Sequence, residues 1–398
     1  MSITVSDVAS LVGRYTNSVL VPQTQLESEF VSSGALTKIT KADKLGVVNI
    51  KSGGFASTAA IADAGSLPAG DEVDMTQLTY QPKAIFARMY IPRQAAELAS
   101  SKEDGIDLVF EQMESVGRDL GRTLGRLIFD SSIGSPHTTG IPTADSDTSF
   151  QVTDPSGFRN GMSVSRYNAG GTFKETFRVK DVALGYDGAN STITTVAAVA
   201  GATGAWATTD VFYLGHEGSK DQAMTSMADV TAAASLYGQS QATYDWRGQL
   251  KAVGGAVSNA VIKNVSTMIT RKRGKKFSHL LCNALNEQRI YEDHVAEIRY
   301  TSGKMDEYGM KLTFDGRPIV TDENIGDGDI YLHQKEDVKL HCFREFAADT
   351  DGAKKGGYSK ASVQVSADRL VWDCQFWGSY NLRVERRSGT GRMSGITG

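Results

Sequence analysis

Apolar residues at positions 106, 109, 110, 113, 116, 120, 124, 127 and 128 recur at intervals of three and four. That period predicts one long amphipathic helix over residues 106–129. Its charges are sorted along its length, Glu103, Asp107, Glu111 and Glu114 coming before Arg118, Arg122 and Arg126. Acids first and bases last complement the helix dipole, and Glu114 and Arg118 stand four apart as a pair. A helix of that length is a rod of roughly 37 Å at ~1.5 Å per residue. The arginine row is read either as a solvated face or as a surface that meets a neighbour's carboxylates.

The stretch before it, 53–92, is glycine-rich and weakly apolar, with GGFASTAAIADAGSLPAGDE at its tip. Thr76, Leu78 and Tyr80 alternate with polar partners, and Ile85, Phe86, Met89 and Tyr90 favour strand, which predicts a two-stranded hairpin with a flexible tip. An isolated two-stranded ribbon is marginal in water. It therefore needs a partner surface, and another copy of the chain is the expected one. Residues 1–50 show no sustained period and are interrupted by Pro22. They are expected to be an arm that is ordered by crossing a neighbour.

After Asp130 the texture changes to Gly, Pro and Ser, and residues 150–218 then read as short strands separated by Gly and Asn/Asp turns: GMSVSRYN, ETFRVKDVALGYDG, NSTITTVAAV, TDVFYLG. Such spacing predicts a small antiparallel barrel or sandwich inserted into the chain. Beyond Lys220 the pattern is mixed. Val257, Val261, Val265, Met268 and Ile269 share a helical face that ends in RKRGKK, where Gly274 suits a left-handed helix stop. FSHLLCN reads as a buried strand, ALNEQRIYEDHVAEI as a helix, and KLTFDGRPIV and SVQVSADRLVWDCQFWGSYNLRVERR as strand and turn. The fold class is α+β with one all-β insertion.

Composition narrows the function classes. The 398 residues are 40% hydrophobic and 22% charged, with a formal net charge of -4, which argues against a protein whose main task is to grip nucleic acid. Cys282, Cys342 and Cys374 form no CxxC pair and read as buried thiols. No apolar run approaches the ~20 residues of a membrane span, and MSITVSDVAS lacks the regions of a signal peptide, so synthesis and folding in a cytoplasm are expected.

Catalytic motifs are missing: there is no phosphate loop, G-x-G-x-x-G, H-E-x-x-H or G-x-S-x-G. His333, His341 and Cys342 are the one set whose types suggest a metal, but alternation along a strand puts His341 and Cys342 on opposite faces. DENIGDGD, 322–329, concentrates acids without the spacing or closing Glu of a calcium loop and reads as an acidic turn. Arg271, Lys272, Arg273, Lys275 and Lys276 read as a basic helix cap, with phosphate contact the alternative. Trp246, Trp372, Phe376, Trp377 and Tyr380 read as core or subunit-interface packing rather than as platforms for bases. No catalytic, cofactor-binding or metal-binding residue is assigned, and no cofactor is expected.

Taken in order, an arm, a glycine-rich loop, a long helix, an inserted β domain and an α+β body resemble the major capsid proteins of tailed bacteriophages, the Hong Kong ninety-seven fold. The strings that carry the resemblance are GGFASTAAI through YIPR for the extended loop and EDGIDLVFEQMESVGRDLGRTLGRLIF for the spine helix. YGQSQATYDWRG resembles the segment leading into the axial domain, and LTFDGRPIVTDENIGDGDIYLH the strands and acidic turn before a final strand pair. The resemblance implies a division into an arm over 1–50, an extended loop over 51–93, and the spine helix with the start of the peripheral domain over 94–149. The inserted β domain then takes 150–219, and the axial domain with the remaining peripheral strands takes 220–398.

It further implies a structural protein and not an enzyme, made in the host bacterial cytoplasm and located in the virion capsid. Pentamers and hexamers would form an icosahedral shell around double-stranded DNA that is touched only weakly. Portal, scaffolding and decoration proteins are the other implied partners, with no membrane. Some relatives crosslink a loop Lys to a neighbour's Asn; Lys51 and Lys83 stand at the base of this loop, and no crosslink is expected. Two alternatives stay open, a nanocompartment shell of the encapsulin kind and a metal-dependent hydrolase using Asp322, Glu323, Asp327 and Asp329.

Overall fold

The computed structural model of the chain describes residues 28–41, 43–51, 75–92, 102–137, 140–185, 190–199, 206–242, 246–298, 313–348, 363–365 and 371–397. The expected arm before residue 28 and the expected hairpin tip lie outside the described residues. The N-terminal elements are α1 (Glu29–Ser32), β1 (Thr37–Thr40), β2 (Gly46–Lys51), β3 (Met75–Tyr80) and β4 (Lys83–Pro92). β2 and β3 pair antiparallel, Val48 opposite Leu78 and Ile50 opposite Thr76. Residues 46–51, expected within the arm, are thus one limb of the ribbon.

The long helix is α2, Lys102–Phe129, 28 residues. Leu120, Leu124, Leu127 and Ile128 are buried as their spacing dictates. Gly125, mid-helix, costs backbone entropy, but a Cβ there would stand 2.6 Å from Asn324 Nδ2, so the glycine lets the acidic turn lie against the helix. The insertion follows as β5 (Ser132–Gly134), β6 (Ser149–Val152), β7 (Ser163–Tyr167), β8 (Phe173–Ala183), β9 (Ser191–Thr195) and β10 (Val211–Leu214). Their order is β5-β10-β7-β8-β9-β6, every pairing is antiparallel, and a bridge from Pro136 to Val152 joins the two edges. The result is a small barrel filled by Phe150, Phe158, Phe177, Trp206 and Phe212. It draws on β5, ahead of the expected start at residue 150, because β5 pairs with the edge of β10 that β7 leaves open.

The remaining elements are α3 (Ser219–Gln222), α4 (Met227–Ala232), β11 (Ser235–Leu236), β12 (Gln239–Ser240), β13 (Gln249–Gly255), α5 (Asn259–Arg273), β14 (His279–Cys282), α6 (Ala284–Ile298), β15 (Thr313–Phe314), β16 (Arg317–Thr321), β17 (Ile330–His333), β18 (Val338–Ala348), β19 (Val363–Val365), β20 (Val371–Val384) and β21 (Gly391–Ile396). Local chemistry explains several boundaries. Ser226 and Asp229 close a capping box on α4. Gly274, at φ 78, stops α5 as expected. Asp315 and Gly316, both at positive φ, make the two-residue turn between β15 and β16 that a DG pair favours.

Two larger sheets organise these strands. One has the order β13-β21-β17-β14-β16-β15; the other runs β1-β18-β20-β19 with β4 added beside β20. β4 lies against β20 in ten successive registers, from Pro92 opposite Val371 to Lys83 opposite Tyr380. This corrects the expected hairpin: residues 85–90 are not the ribbon's return limb. The chain breaks at Gln81 and Pro82 between β3 and β4, and the alternation of Ile85 and Met89 instead packs β4 onto α2.

Candidate assembly interface

One face of β4 is finished and the other is open. Ile85 and Met89 are buried with Leu120, Leu124 and Leu127 of α2. Between them Phe86 is 69% exposed. Its ring stacks on Trp377 of β20 at 6.0 Å and 21°, and the Arg344 guanidinium of β18 lies 3.7 Å above the Trp377 ring. Three strands thus present an aromatic and cationic strip outward, held by stacking and cation–π attraction.

The ribbon shows the same asymmetry. Val48, Ile50, Leu78 and Tyr80 belong to the core, whereas Leu45, Val47 and Met75 are exposed, Met75 at 68%. Its base is fastened through Tyr80, whose ring stacks on Tyr237 and whose hydroxyl is 2.7 Å from His341 Nδ1. Burial pushes the Tyr80 hydroxyl up to about 12, so it stays protonated and bonded across the working pH range. Gly46 faces that ring, and a Cβ in its place would collide with it. Among the described residues β2 and β3 pair with no third strand.

A cleft of about 540 Å³ opens between β4, the C-terminal half of α2 and the barrel, lined among others by Phe86, Arg122, Arg126, Arg159, Arg178 and Leu214. The arginine row therefore does not share one environment: Arg118 is exposed, Arg122 half-buried and Arg126 buried. Arg126 Nη1 donates to Asn324 O at 2.9 Å and to Ser156 Oγ at 3.2 Å, and Nη2 to Ser132 O at 3.4 Å. It ties helix, acidic turn and barrel together.

The residues considered for chemistry are dispersed or committed. His333 sits on β17 in one sheet, while His341 and Cys342 sit on β18 in the other. Burial takes the His333 ring down to about 3 and the Cys342 thiol up to about 12. Asp322 accepts from Ser28 Oγ (2.6 Å), Phe30 N (3.0 Å), Asn324 N (2.9 Å) and Asn324 Nδ2 (2.7 Å). Asp329 is bidentate with Arg392, Asp327 accepts from Asn283 Nδ2, and Glu323 is exposed. Burial, and then the Asp154 charge, push Asp327 up to about 6. Among the described residues no three His, Cys, Asp or Glu side chains converge as a metal site. The acids of the turn serve to anchor α1 and β21.

The basic turn is a helix end: Arg273 pairs with Asp337 and Glu336, and Lys276 with Asp315. Trp246 is buried in the main core, in the loop ahead of β13 rather than in a strand, and Phe376 and Tyr380 are buried on β20. The sequence pattern did not single out Arg344, Arg159 or Arg178. Their roles come from strand pairings and barrel placement that no local period encodes.

No known protein-family profile matches the chain, and no curated protein matches it in sequence. Among solved structures it is similar to the capsid of cyanophage A-1(L), with a TM-score of 0.54 and 9% identity over 95% of this chain and 93% of that one. It also aligns with a protein of Mycobacterium phage Adephagia, TM-score 0.48, 12% identity, 100% and 99% covered. An encapsulin of Synechococcus elongatus aligns with a TM-score of 0.46 and 9% identity, 92% and 87% covered. The first of these fixes the fold: the chain has the architecture of phage major capsid proteins, the Hong Kong ninety-seven-like fold.

Proposed function

We propose that this chain is the major capsid protein of a tailed bacteriophage, a structural subunit that assembles into pentamers and hexamers of an icosahedral shell enclosing double-stranded DNA. The observation that carries this reading is the outward strip of Phe86, Trp377 and Arg344 together with the exposed apolar edge of the ribbon. Fully burying a large apolar side chain is worth ~1.5–3 kcal/mol, and a surface repeated on every copy accumulates that gain at every contact. The cyanophage likeness supports the same reading at the level of fold. On this proposal the arm ahead of β2, the ribbon of β2 and β3 with the loop that joins them, the outward face of β4 and the spine helix are the parts that meet neighbours. Portal, scaffolding and decoration proteins complete the partner set, and the net charge of -4 keeps contact with packaged DNA weak.

Negative-stain imaging and sedimentation of the protein, expressed alone and with its neighbouring genes, test the reading. Closed shells or capsomer rings are expected, with enclosed enzyme cargo pointing to a nanocompartment instead; a persistent monomer sinks it. Deleting residues 54–70 is expected to leave the far-UV circular dichroism nearly unchanged while abolishing assembly.

A further inference from the structure

Arg387 opens the short 3-10 turn Arg387–Gly389 ahead of β21, and it is 0% exposed. Among the described residues its guanidinium bonds only to carbonyls at the end of α4: Nε donates to Val230 O at 2.8 Å, and Nη2 to Ala233 O at 2.7 Å and to Asp229 O at 3.3 Å. These are dipoles, not full charges. The Asp229 carboxylate is itself committed to the capping box with Ser226. Tyr237, the other ionisable group that acts on Arg387, donates its hydroxyl to Leu382 O. Burial lowers the guanidinium to about 10, so it keeps its charge at neutral pH.

Buried donors gather around that cation. Arg387 Nη1, Ser388 Oγ, Thr390 Oγ1 and Trp246 Nε1 have no hydrogen-bond partner among the described residues, and none of the four side chains is more than 2% exposed. Thr390 N donates to Arg387 O at 3.0 Å, closing a 3-10 turn in which side chains three apart lie over one another. Thr390 is extended, at φ -119 and ψ 134, and a Cβ on Gly391 would meet Val265 and Ile269 of α5. Alternation therefore turns Thr390 away from α5, the way Arg387 reaches toward α4. The loop ahead of β13 comes to the same place, since a Cβ on Gly248 would stand 2.5 Å from Val230 O, the oxygen that Arg387 Nε holds. Trp246, two residues earlier, is buried in one core with Met227 and Val230 of α4.

We infer that Arg387, Trp246, Thr390 and Ser388 form a buried binding site for a small monovalent anion of chloride size. Guanidinium and indole nitrogens only donate, and hydroxyls can donate, so the set matches a ligand that only accepts. A buried cation without an opposite charge is costly. A water molecule would satisfy the donors and leave that charge, whereas an anion satisfies them and cancels it through charge-assisted hydrogen bonds. The bound ion ties together the end of α4, the loop ahead of β13 and the turn ahead of β21. The site lies within one copy of the chain and does not draw on the shell reading.

The test is urea unfolding of the unassembled full-length chain over a chloride series, with gluconate, too large for an enclosed site, holding the ionic strength constant. Above the dissociation constant, each tenfold rise in chloride is expected to multiply the folding constant about tenfold. Arg387→Met is expected to abolish that dependence, and Arg386→Ala, which removes the exposed charge next to it, to retain it. Should Arg387→Met fail to fold, Trp246→Phe and Thr390→Val each remove one donor with little change of volume. Each is expected to raise the chloride concentration of half effect about tenfold. A parent with the same urea midpoint in chloride and in gluconate overturns the site and assigns these donors to water. Chloride dependence that persists unchanged in Arg387→Met, or in both donor variants, places the effect elsewhere on the chain and overturns it as well.

Discussion

The sheet built around β14 and β17 and the sheet that carries β4 draw on the same kinds of residue and end differently. In the first, Leu280, Leu332 and Met393 are wholly buried, and Gly391 lets Val265 of α5 come within 2.6 Å of where its Cβ would stand. Asn286 Nδ2 donates to the carbonyls of Asp327 and Asp329, closing the backbone at that sheet's end. In the second, β4 buries Ile85 and Met89 and turns Phe86 outward. The first sheet completes its own packing, whereas the second leaves half of a packing surface for something else. Stability and assembly are therefore carried by different residues, and substitutions can separate them.

The largest separation is expected at Leu332, which faces Leu280 across β17 and β14. Leu332→Ala leaves a cavity where the surrounding strands have little freedom to collapse, and it is expected to cost ~2–5 kcal/mol. Urea denaturation of the unassembled protein measures the loss. Assembly should then fall only in proportion to the unfolded fraction; an assembly defect with unchanged stability would erase the contrast between the two sheets.

Much of the architecture is legible in the sequence because it rests on local periods. The 3.6-residue stripe of α2, the Gly274 stop and the DG turn at Asp315 each follow from residues within a few positions of one another. The destination of β4 does not: Ile85 and Met89 announce a strand with a buried face, but nothing near them says that the partner is β20, almost 300 positions on. For the same reason the joining of β5 to the barrel and the placing of Arg159 and Arg178 beside α2 are not legible in the sequence. The separation of His333 from His341 was equally hidden, since the short turn between β17 and β18 leads from one sheet into the other.

Acid should act on the first sheet through His333. Its ring is fully buried, edge-on to Phe30, and burial holds it neutral down to about 3. Its folded value lies below the ordinary ~6.5, so the unfolded chain binds the extra proton, and stability falls as pH drops from 6.5 toward 3. Between pH 7 and pH 5 that amounts to ~2 kcal/mol. Asp327 works the other way, because a carboxyl raised to about 6 makes the folded chain the better proton binder and adds stability as pH falls through 6. Comparison with His333→Leu isolates the histidine: the variant should lack the loss, and equal urea midpoints for parent and variant at both pH values would show that His333 is not buried neutral.

The smallest effect on the isolated chain, and the sharpest contrast with Leu332, is expected at Phe86. With 69% of its surface already in water, Phe86→Ser forfeits little beyond the stack on Trp377, ~0.5–1 kcal/mol. On a neighbour's surface the same side chain would be desolvated and clamped beside Trp377 and Arg344, and truncating a central aromatic anchor there costs ~2 kcal/mol or more. The concentration at which shells form should rise at least about tenfold, while the urea midpoint scarcely moves. If instead the midpoint drops and assembly follows it, Phe86 belongs to the folded core of its own copy, and the outward face of β4 is not an assembly surface.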